Sequence, residues 1–271
     1  MSFENRLLRS RRFDPLIGRL RLRRMTVVSG ADETHGASLL QFIQSALEHE
    51  GRSRLVIWDL GLRPDQRAAV AEVSPSIEIR TFDYSQYPDW FDIRVNAGEY
   101  AWKPVIVAEM VKDCRGPVLW MDSGCKLTGP LDEFYARIIR NGFNSPNSSG
   151  THLDWTHPKT VRFFGLDPKW RRGKRNVNAG VVGFDPAHPR GKKLATRWGQ
   201  LARRRRVIAP PGSSRANHRQ DQALLGVLAH RHGLMKGRTP WPVNFLVHQD
   251  VPEPPLTRSE TVDGAPRHED S

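Results

Sequence analysis

An apolar run, Pro117-Val118-Leu119-Trp120-Met121, ends in Asp122-Ser123-Gly124 and so delivers a carboxylate at its end. Gly116-Pro117 before it and Ser123-Gly124 after it bound the run, the pattern of a buried strand in a parallel sheet. Ligands of open α/β sheets sit beyond the carboxyl ends of the strands, which is where Asp122 stands. A carboxylate there can hold a divalent cation against a diphosphate or accept hydrogen bonds from sugar hydroxyls. It can equally cap the turn, because Asp-Ser-Gly is ordinary turn chemistry. Lys103 lies between Trp102 and Pro104 at the opening of a helix that leads into this strand. A cation near a helix N-terminus helps free N–H groups attract phosphate; the alternative is an exposed surface lysine. Asn178-Ala179-Gly180 begins a second buried strand, and its small residues let a ligand approach the backbone. Asp221 falls in the first turn of a helix, where the dipole favours an acid, although N-capping alone also accounts for it.

The pieces follow one another as Met25-Thr26-Val27-Val28-Ser29-Gly30-Ala31-Asp32, Leu55 to Leu62, Tyr100 to Pro104, the Asp122 strand, Val177 to Asp185, and Arg219-Gln220-Asp221-Gln222. A strand, an acidic strand end, an Asn-Ala-Gly strand and an Asp-Gln helix start resemble the GT-A-fold nucleotide-sugar glycosyltransferases. The likeness is greatest to the retaining group of glycogenin and the bacterial galactosyltransferases. The upstream segment, with Asp59-Leu60-Gly61-Leu62 and Ala101-Trp102-Lys103-Pro104, is similar to an uncharacterised GT-A-like family. The resemblance spans residues 25–250, roughly.

It implies a GT-A-like (Rossmann-like) three-layer α/β/α sandwich with a mixed, mostly parallel central sheet. It implies a hexosyltransferase that takes its donor from a nucleotide-diphosphate sugar and passes the hexose to a sugar or glycan acceptor. Asp122, Asp221 and Gln222 would be catalytic, with Gln222 facing the anomeric centre. Ser29, Gly30 and Asp32 would meet the base and ribose, and Lys103, Ser123, Asn178 and Gly180 the rest of the donor. Mn²⁺ or Mg²⁺ would be held by Asp122 and His248. The family's Asp-x-Asp pair is broken here, since Gly124 stands where the second carboxylate belongs. A lone carboxylate holds such a cation weakly unless other oxygens or a His complete the shell. His35 lies in the same turn as Asp32 and receives no role.

The chain has 271 residues and a formal net charge of +13, more than a neutral substrate requires. Such a charge attracts nucleic acid, anionic membrane or diphosphate ligands. Arginines cluster at 9–12, 19–24, 171–175 and 203–206, which reads as solvated surface for the most part. No nucleic-acid motif accompanies the scattered clusters, so no specific nucleic acid is expected. A Gly-x-Gly-x-x-Gly fingerprint, a P-loop and a Gly-x-Ser-x-Gly elbow are all missing, which disfavours a dehydrogenase, a P-loop NTPase and an α/β-hydrolase. Cys114 and Cys125 alone make neither a disulfide framework nor a cysteine zinc site, and a cytoplasmic setting is expected. A non-catalytic sugar- or nucleotide-binding module that kept the fold, and a basic nucleic-acid-binding protein, stand as alternatives.

Strand-like runs at 25–29, 54–60, 77–82 and 117–121 alternate with helical patterns at 37–49, 63–73 and 99–113. A second buried strand is expected at 177–185, a basic helix at 187–205, a loop at 209–215 and one more strand within 241–248. The irregular stretch 141–176 carries His152, Asp154, Trp155, His157, Phe163, Phe164 and Trp170, either an acceptor pocket or aromatics packed into the core. Residues 1–24 form a basic segment, with leucines among arginines, suited to peripheral contact with anionic membrane or to packing on the domain. The domain proper runs over 25–250, and 251–271 reads as a disordered tail.

Overall fold

The computed structural model describes residues 13–235 and 244–254. Its strands, in chain order, are β1 (Thr26–Ala31), β2 (Arg54–Asp59), β3 (Glu78–Thr81), β4 (Val118–Met121), β5 (Lys126–Leu127), β6 (Phe143–Asn144), β7 (Asn147–Thr151), β8 (Arg175–Val177), β9 (Val181–Phe184) and β10 (Phe245–Leu246). Six of them form the central sheet in the order β3-β2-β1-β4-β9-β6. β1 runs parallel to β2 and β4, and β2 parallel to β3. β9 runs antiparallel to both β4 and β6. The expected mixed, mostly parallel sheet is therefore what the chain forms.

Its inner strands β1, β2, β4 and β9 are buried and largely apolar because both faces are covered, whereas the edge strand β3 carries Glu78, Arg80 and Thr81 and is only partly buried. Val28, Val56, Trp58, Val118 and Trp120 pack on one face with the helices Trp102–Asp113 and Pro189–Ala202. Val27, Leu55, Ile57, Leu119 and Met121 point the other way, into the helices Gly36–Glu50 and Asp132–Asn141. Alternation along each strand thus divides the core into two layers around the sheet, the three-layer arrangement the sequence pattern implies.

Residues 177–185 do not form one strand. β8 ends at Val177 and pairs with β7, and β9 starts at Val181 in the main sheet. The break is local chemistry: Asn178 Oδ1 accepts a hydrogen bond from the Gly180 backbone N–H at 2.7 Å, an Asx turn that competes with strand pairing. The basic helix expected at 187–205 stops at Ala202, and a separate turn of helix covers Arg205–Ile208. The strand expected within 241–248 is reduced to Phe245–Leu246, antiparallel to β5; residues 241–243 lie outside the described residues.

The helix expected from 99 instead begins at Trp102, after five consecutive left-handed residues, Asn96 to Tyr100, with φ between 49° and 59°. For residues other than glycine this conformation costs ~1–2 kcal/mol each. The turn is held by Trp102 Nε1, which donates to the Ala97 carbonyl at 3.1 Å, and by Gln220 Nε2, which donates to Glu99 Oε2 at 3.3 Å. A side chain on Gly98 would collide with the Phe91 carbonyl, so the tightest point of the turn needs glycine.

Both ends of the described chain pack inward. The helix Asp14–Leu20 lies on Asp132–Asn141, while Leu16, Leu20 and Leu22 are exposed. Arg21 grips Glu50 with two hydrogen bonds, at 2.8 and 2.7 Å, and Arg23 grips Asp185 at 2.6 and 2.8 Å. These two members of the 19–24 cluster are structural counterions rather than solvated surface. Residues 251–254, placed by the sequence in a loose tail, are held: Glu253 accepts from Ala37 N at 2.6 Å and from Gln66 Nε2 at 2.8 Å. Residues 1–12 and 255–271 lie outside the described residues. Among the described residues no helix is long and apolar enough to cross a membrane.

Candidate functional site

A cleft of about 630 Å³ runs along the carboxyl edge of β1 and β4, in the size range of small-molecule sites. β1 contributes Gly30 and leads into Asp32; β4 leads into Asp122, Ser123 and Gly124; the crossing between β8 and β9 contributes Asn178 and Gly180. Lys103 comes from the start of its helix, Asp221 and Gln222 from the first turn of the helix Gln220–Arg231, and His248 from the segment after β10. Of the residues given a catalytic, donor-binding or metal role from the sequence, Ser29 alone stays away from the cleft. It is fully buried within β1, and its hydroxyl finds no hydrogen-bond partner among the described residues. Being the neighbour of Gly30 in an extended strand, it projects to the opposite side of the sheet.

At the centre, Lys103 Nζ lies 2.8 Å from Asp122 Oδ1 and 3.2 Å from Asp221 Oδ2. Its side chain is 5% exposed and that of Asp221 8%, against 44% for Asp122, which faces the open cleft. Burial alone would favour the neutral amine, but the two carboxylates outweigh it and hold Lys103 above its ordinary pKa. Burial, with the Asp122 charge adding to it, pushes the Asp221 carboxyl up despite Lys103. Trp120 Nε1 donates to the same Asp122 Oδ1 at 2.6 Å, and the Asp122 backbone N–H bonds to the Gly180 carbonyl at 2.8 Å. A Cβ on Gly180 would lie 2.8 Å from Asp122 Oδ2, so glycine there leaves that oxygen its room. Asn178 spends Oδ1 on its own turn and keeps its amide group for the cleft. Gln222 Nε2 reaches Ser148 Oγ at 3.4 Å.

At the β1 end, Asp32 Oδ1 meets His35 Nδ1 at 2.9 Å and the Thr34 hydroxyl at 2.7 Å. The hydrogen bond to Asp32 raises the His35 pKa. At the other end stand residues that the sequence did not single out. Arg215 donates to the Tyr100 hydroxyl at 2.9 Å with its guanidinium 5.3 Å from the ring centre. Arg219 lies 4.3 Å over the Trp155 ring, and its backbone N–H bonds to the Trp155 carbonyl. Arg219 was legible by adjacency, two residues before Asp221; Arg215 sits in a loop whose path no local pattern fixes.

Of the two readings of the 141–176 side chains, packing holds for most of them. Only Trp155 among them lines the cleft. His152 is wholly buried against Trp170 and His230, Asp154 and His157 cap short helices, and Phe163 packs edge-on to Phe164.

The donor set does not make a preassembled site for Mn²⁺ or Mg²⁺. Among the described residues no three His, Cys, Asp or Glu side chains come together closely enough to hold a metal ion. Asp122 Oδ1 already serves Trp120 and Lys103, and Asp122 and His248 are not joined by a third ligand. The position of the missing second carboxylate is occupied by a carboxylate that the sequence did not single out: a Cβ on Gly124 would collide with that of Asp250, which also lines the cleft and is brought there by a Gln249 N–H bond to the Gly124 carbonyl at 2.8 Å.

Residues 20–108 match the model of a family described only as a protein of unknown function, DUF1647. No curated protein matches the sequence. Among solved structures, an active-site mutant of LgtC aligns at 16% identity over 89% of this chain and 92% of that one, with a TM-score of 0.51. The galactosyltransferase LgtC in complex with donor and acceptor sugar analogs aligns at 19% identity over 75% of this chain and 70% of that one, with a TM-score of 0.48. At such identities the likeness is one of fold alone, a GT-A-like α/β fold.

Proposed function

We propose that the protein is a glycosyltransferase that moves a hexose from a nucleotide-diphosphate sugar to a sugar or glycan acceptor. One observation carries the reading. Lys103, Asp122, Asn178, Gly180, Asp221 and Gln222 come from four separate stretches of chain and meet in one cleft at the carboxyl edge of the sheet. Surface residues without a shared task have no reason to converge so. Such a paired, buried lysine between two acids is costly to build, and perturbed ionisable groups in a cleft mark functional sites.

Transfer breaks the bond between the anomeric carbon and a diphosphate oxygen, so positive charge grows on the sugar and negative charge on the leaving group. Asp122 offers the half-exposed carboxylate that faces the sugar, accepting its hydroxyls and favouring the positive centre. Lys103 fixes Asp122 and Asp221 in one orientation, so little reorganisation accompanies the reaction. Gln222, beside Asp221 in the first helical turn, presents a neutral carboxamide to the same space. Gly30 and the Asp32–Thr34–His35 turn suit the nucleotide, because ligand polar groups there meet short side chains and exposed backbone. No step is routed through a metal.

The test is release of nucleoside diphosphate from a panel of nucleotide sugars, with and without oligosaccharide acceptors. Turnover is expected with at least one donor. Asp122→Asn is expected to lower it by about 100-fold or more, the scale of losing one transition-state charge partner. The same change should move stability by no more than ~1–2 kcal/mol. Donor binding without release by the parent protein would favour a binding module, and an Asp122→Asn protein as active as the parent would remove the catalytic assignment.

A further inference from the structure

We propose that Arg215 and Arg219 take the place of a divalent cation as the counterions of the donor's diphosphate, an inference that rests on the nucleotide-diphosphate donor proposed above. A leaving diphosphate needs positive charge close by, whatever supplies it. Among the described residues no three His, Cys, Asp or Glu side chains assemble a metal site: Gly124 carries no carboxylate, and the Asp250 carboxylate that lies beside it lines the cleft with Asp122 and His248 without closing a three-ligand set. Lys103 does not fill the gap, because its charge is consumed by Asp122 and Asp221, with which it is buried.

Two other cations line the same cleft, and both are unspent. Neither Arg215 nor Arg219 forms an ion pair among the described residues. Each is held by an aromatic ring instead, Arg215 by Tyr100 and Arg219 by Trp155. An aromatic face orients a guanidinium without neutralising it, which leaves the N–H fork for a bidentate anion such as a phosphate. Their position is also right. The Tyr100 ring that carries Arg215 lies 5.6 Å from Lys103 Nζ, itself 2.8 Å from Asp122. Arg219 precedes the helix turn that carries Asp221. Both arginines therefore line the cleft that holds the carboxylates where the sugar is proposed to sit. Tyr100, the last residue of the left-handed turn, is the one whose hydroxyl accepts from Arg215.

The experiment is calorimetric titration of ADP, GDP and UDP, and of the matching nucleosides, into the 271-residue chain in EDTA and in Mn²⁺. At least one diphosphate is expected to bind in EDTA within about threefold of its affinity in Mn²⁺. Arg215→Gln with Arg219→Gln is expected to weaken that diphosphate by about 100-fold, tenfold for each guanidinium removed, and the nucleoside by less than about threefold. The Arg215→Lys, Arg219→Lys protein keeps the charge without the fork and is expected to fall between. It also separates the loss of phosphate hydrogen bonds from a loop that no longer folds, as does Arg197→Gln, a control on an exposed helix face. Binding that appears only with Mn²⁺, or a double glutamine variant that binds diphosphate as the parent does, overturns the inference and leaves the donor reading standing. If none of the three diphosphates binds in either buffer, the donor reading itself is overturned. Unchanged diphosphate binding with a raised KM for an acidic acceptor would overturn the inference too, by assigning the arginines to the acceptor.

Discussion

The cleft carries two sets of positive charge that are built in opposite ways. Lys103 is rooted in a helix start, sealed from solvent, and paired with two carboxylates from a strand end and another helix. Arg215 and Arg219 stand on the irregular stretch before the helix Gln220–Arg231, lean on aromatic rings, and have no acid partner among the described residues. Charge that is paired internally shapes the field and fixes its partners; unpaired charge is left for a ligand. The same formal charge thus belongs to the fold in one wall and to binding in the other.

The sharpest way to break this contrast is to remove each charge and compare stability. Lys103→Met leaves Asp221 buried without its counterion beside Asp122, and the loss is expected to be ~3–5 kcal/mol at neutral pH, the range for halving a buried pair. Asp221→Asn in the same chain should restore much of it, because the uncompensated buried charge is then gone. Arg219→Gln should fall within ~0.5–1 kcal/mol of the parent, since the change removes only stacking on a solvent-facing ring. Urea denaturation of the four proteins measures all of this. An Arg219→Gln loss as large as that of Lys103→Met would mean the outer arginines are structural too.

The outer wall has a buried foundation, and it offers the next prediction. His218 is fully buried; its Nδ1 accepts from the His157 backbone N–H at 3.1 Å, which makes Nε2 the protonated nitrogen that donates to the Ile208 carbonyl at 2.7 Å. Burial, first, then lowers its pKa, to about 4, and a second proton would also confront the His157 N–H. The folded pKa lies below the unfolded value near 6.5, so the neutral ring contributes stability above that value, lost as pH falls toward 4. The expected loss over this window is ~2–3 kcal/mol. His152, also buried, with a pKa pushed down to about 3, acts in the same direction. Amide protection factors in 209–219, which take out the fall of the intrinsic exchange rate with pH, should therefore drop between pH 6.5 and 4 before those in β1 and β4 do. Equal protection of both regions down to pH 4 would show that the outer wall is as firmly founded as the inner one.

What the sequence made legible follows the same division. β1, β2 and β4 could be read because strands covered on both faces are continuous apolar runs, and their ends then place Gly30, Asp32 and Asp122. Asp221 and Gln222 were legible through the resemblance of their Asp-Gln helix start, since helix-start chemistry alone also allowed Asp221 a capping role. The pairing of Lys103 was not, since a lysine at a helix start looks the same whether it meets solvent or two acids 19 and 118 positions away. Asn178 deceived for a related reason: its neighbours have strand composition, and one side-chain hydrogen bond redirects the backbone into a turn. The roles of 141–176 stayed open between pocket and core because an aromatic side chain that caps, stacks or fills a core leaves the same trace as one that lines a pocket. Arg21 and Arg23 belonged to an apparent surface cluster until distant partners, Glu50 and Asp185, were placed beside them. Local periodicity is written in neighbouring residues; charge pairing is written in the tertiary fold.

The smallest expected effect concerns a third charged group, at the β1 end, which sharpens the contrast by lying between its extremes. Asp32 and His35 pair at 2.9 Å, but the His35 side chain is 52% exposed, so the pair is neither sealed like Lys103 nor unpartnered like Arg219. The bond to Asp32 raises the His35 pKa, which gives stability below about pH 6.5 that is lost as pH rises through the folded value. Burial would raise Asp32, but the hydrogen bonds from His35 and Thr34 prevail and lower it, giving stability above about pH 3.9 that is lost on acidification. Both contributions are present together only between those limits. Solvent screening keeps the pair to ~0.2–1 kcal/mol, and the upper end applies at low ionic strength. His35→Asn is therefore expected to cost under ~1 kcal/mol at pH 5.5 in 20 mM salt and close to nothing at pH 8.5 or in 0.5 M salt. A thermal melt at those three conditions measures it. A cost independent of both pH and salt would mean that His35 acts by packing alone, and that the β1 end, like the centre of the cleft, is fixed by the fold rather than poised for a nucleotide.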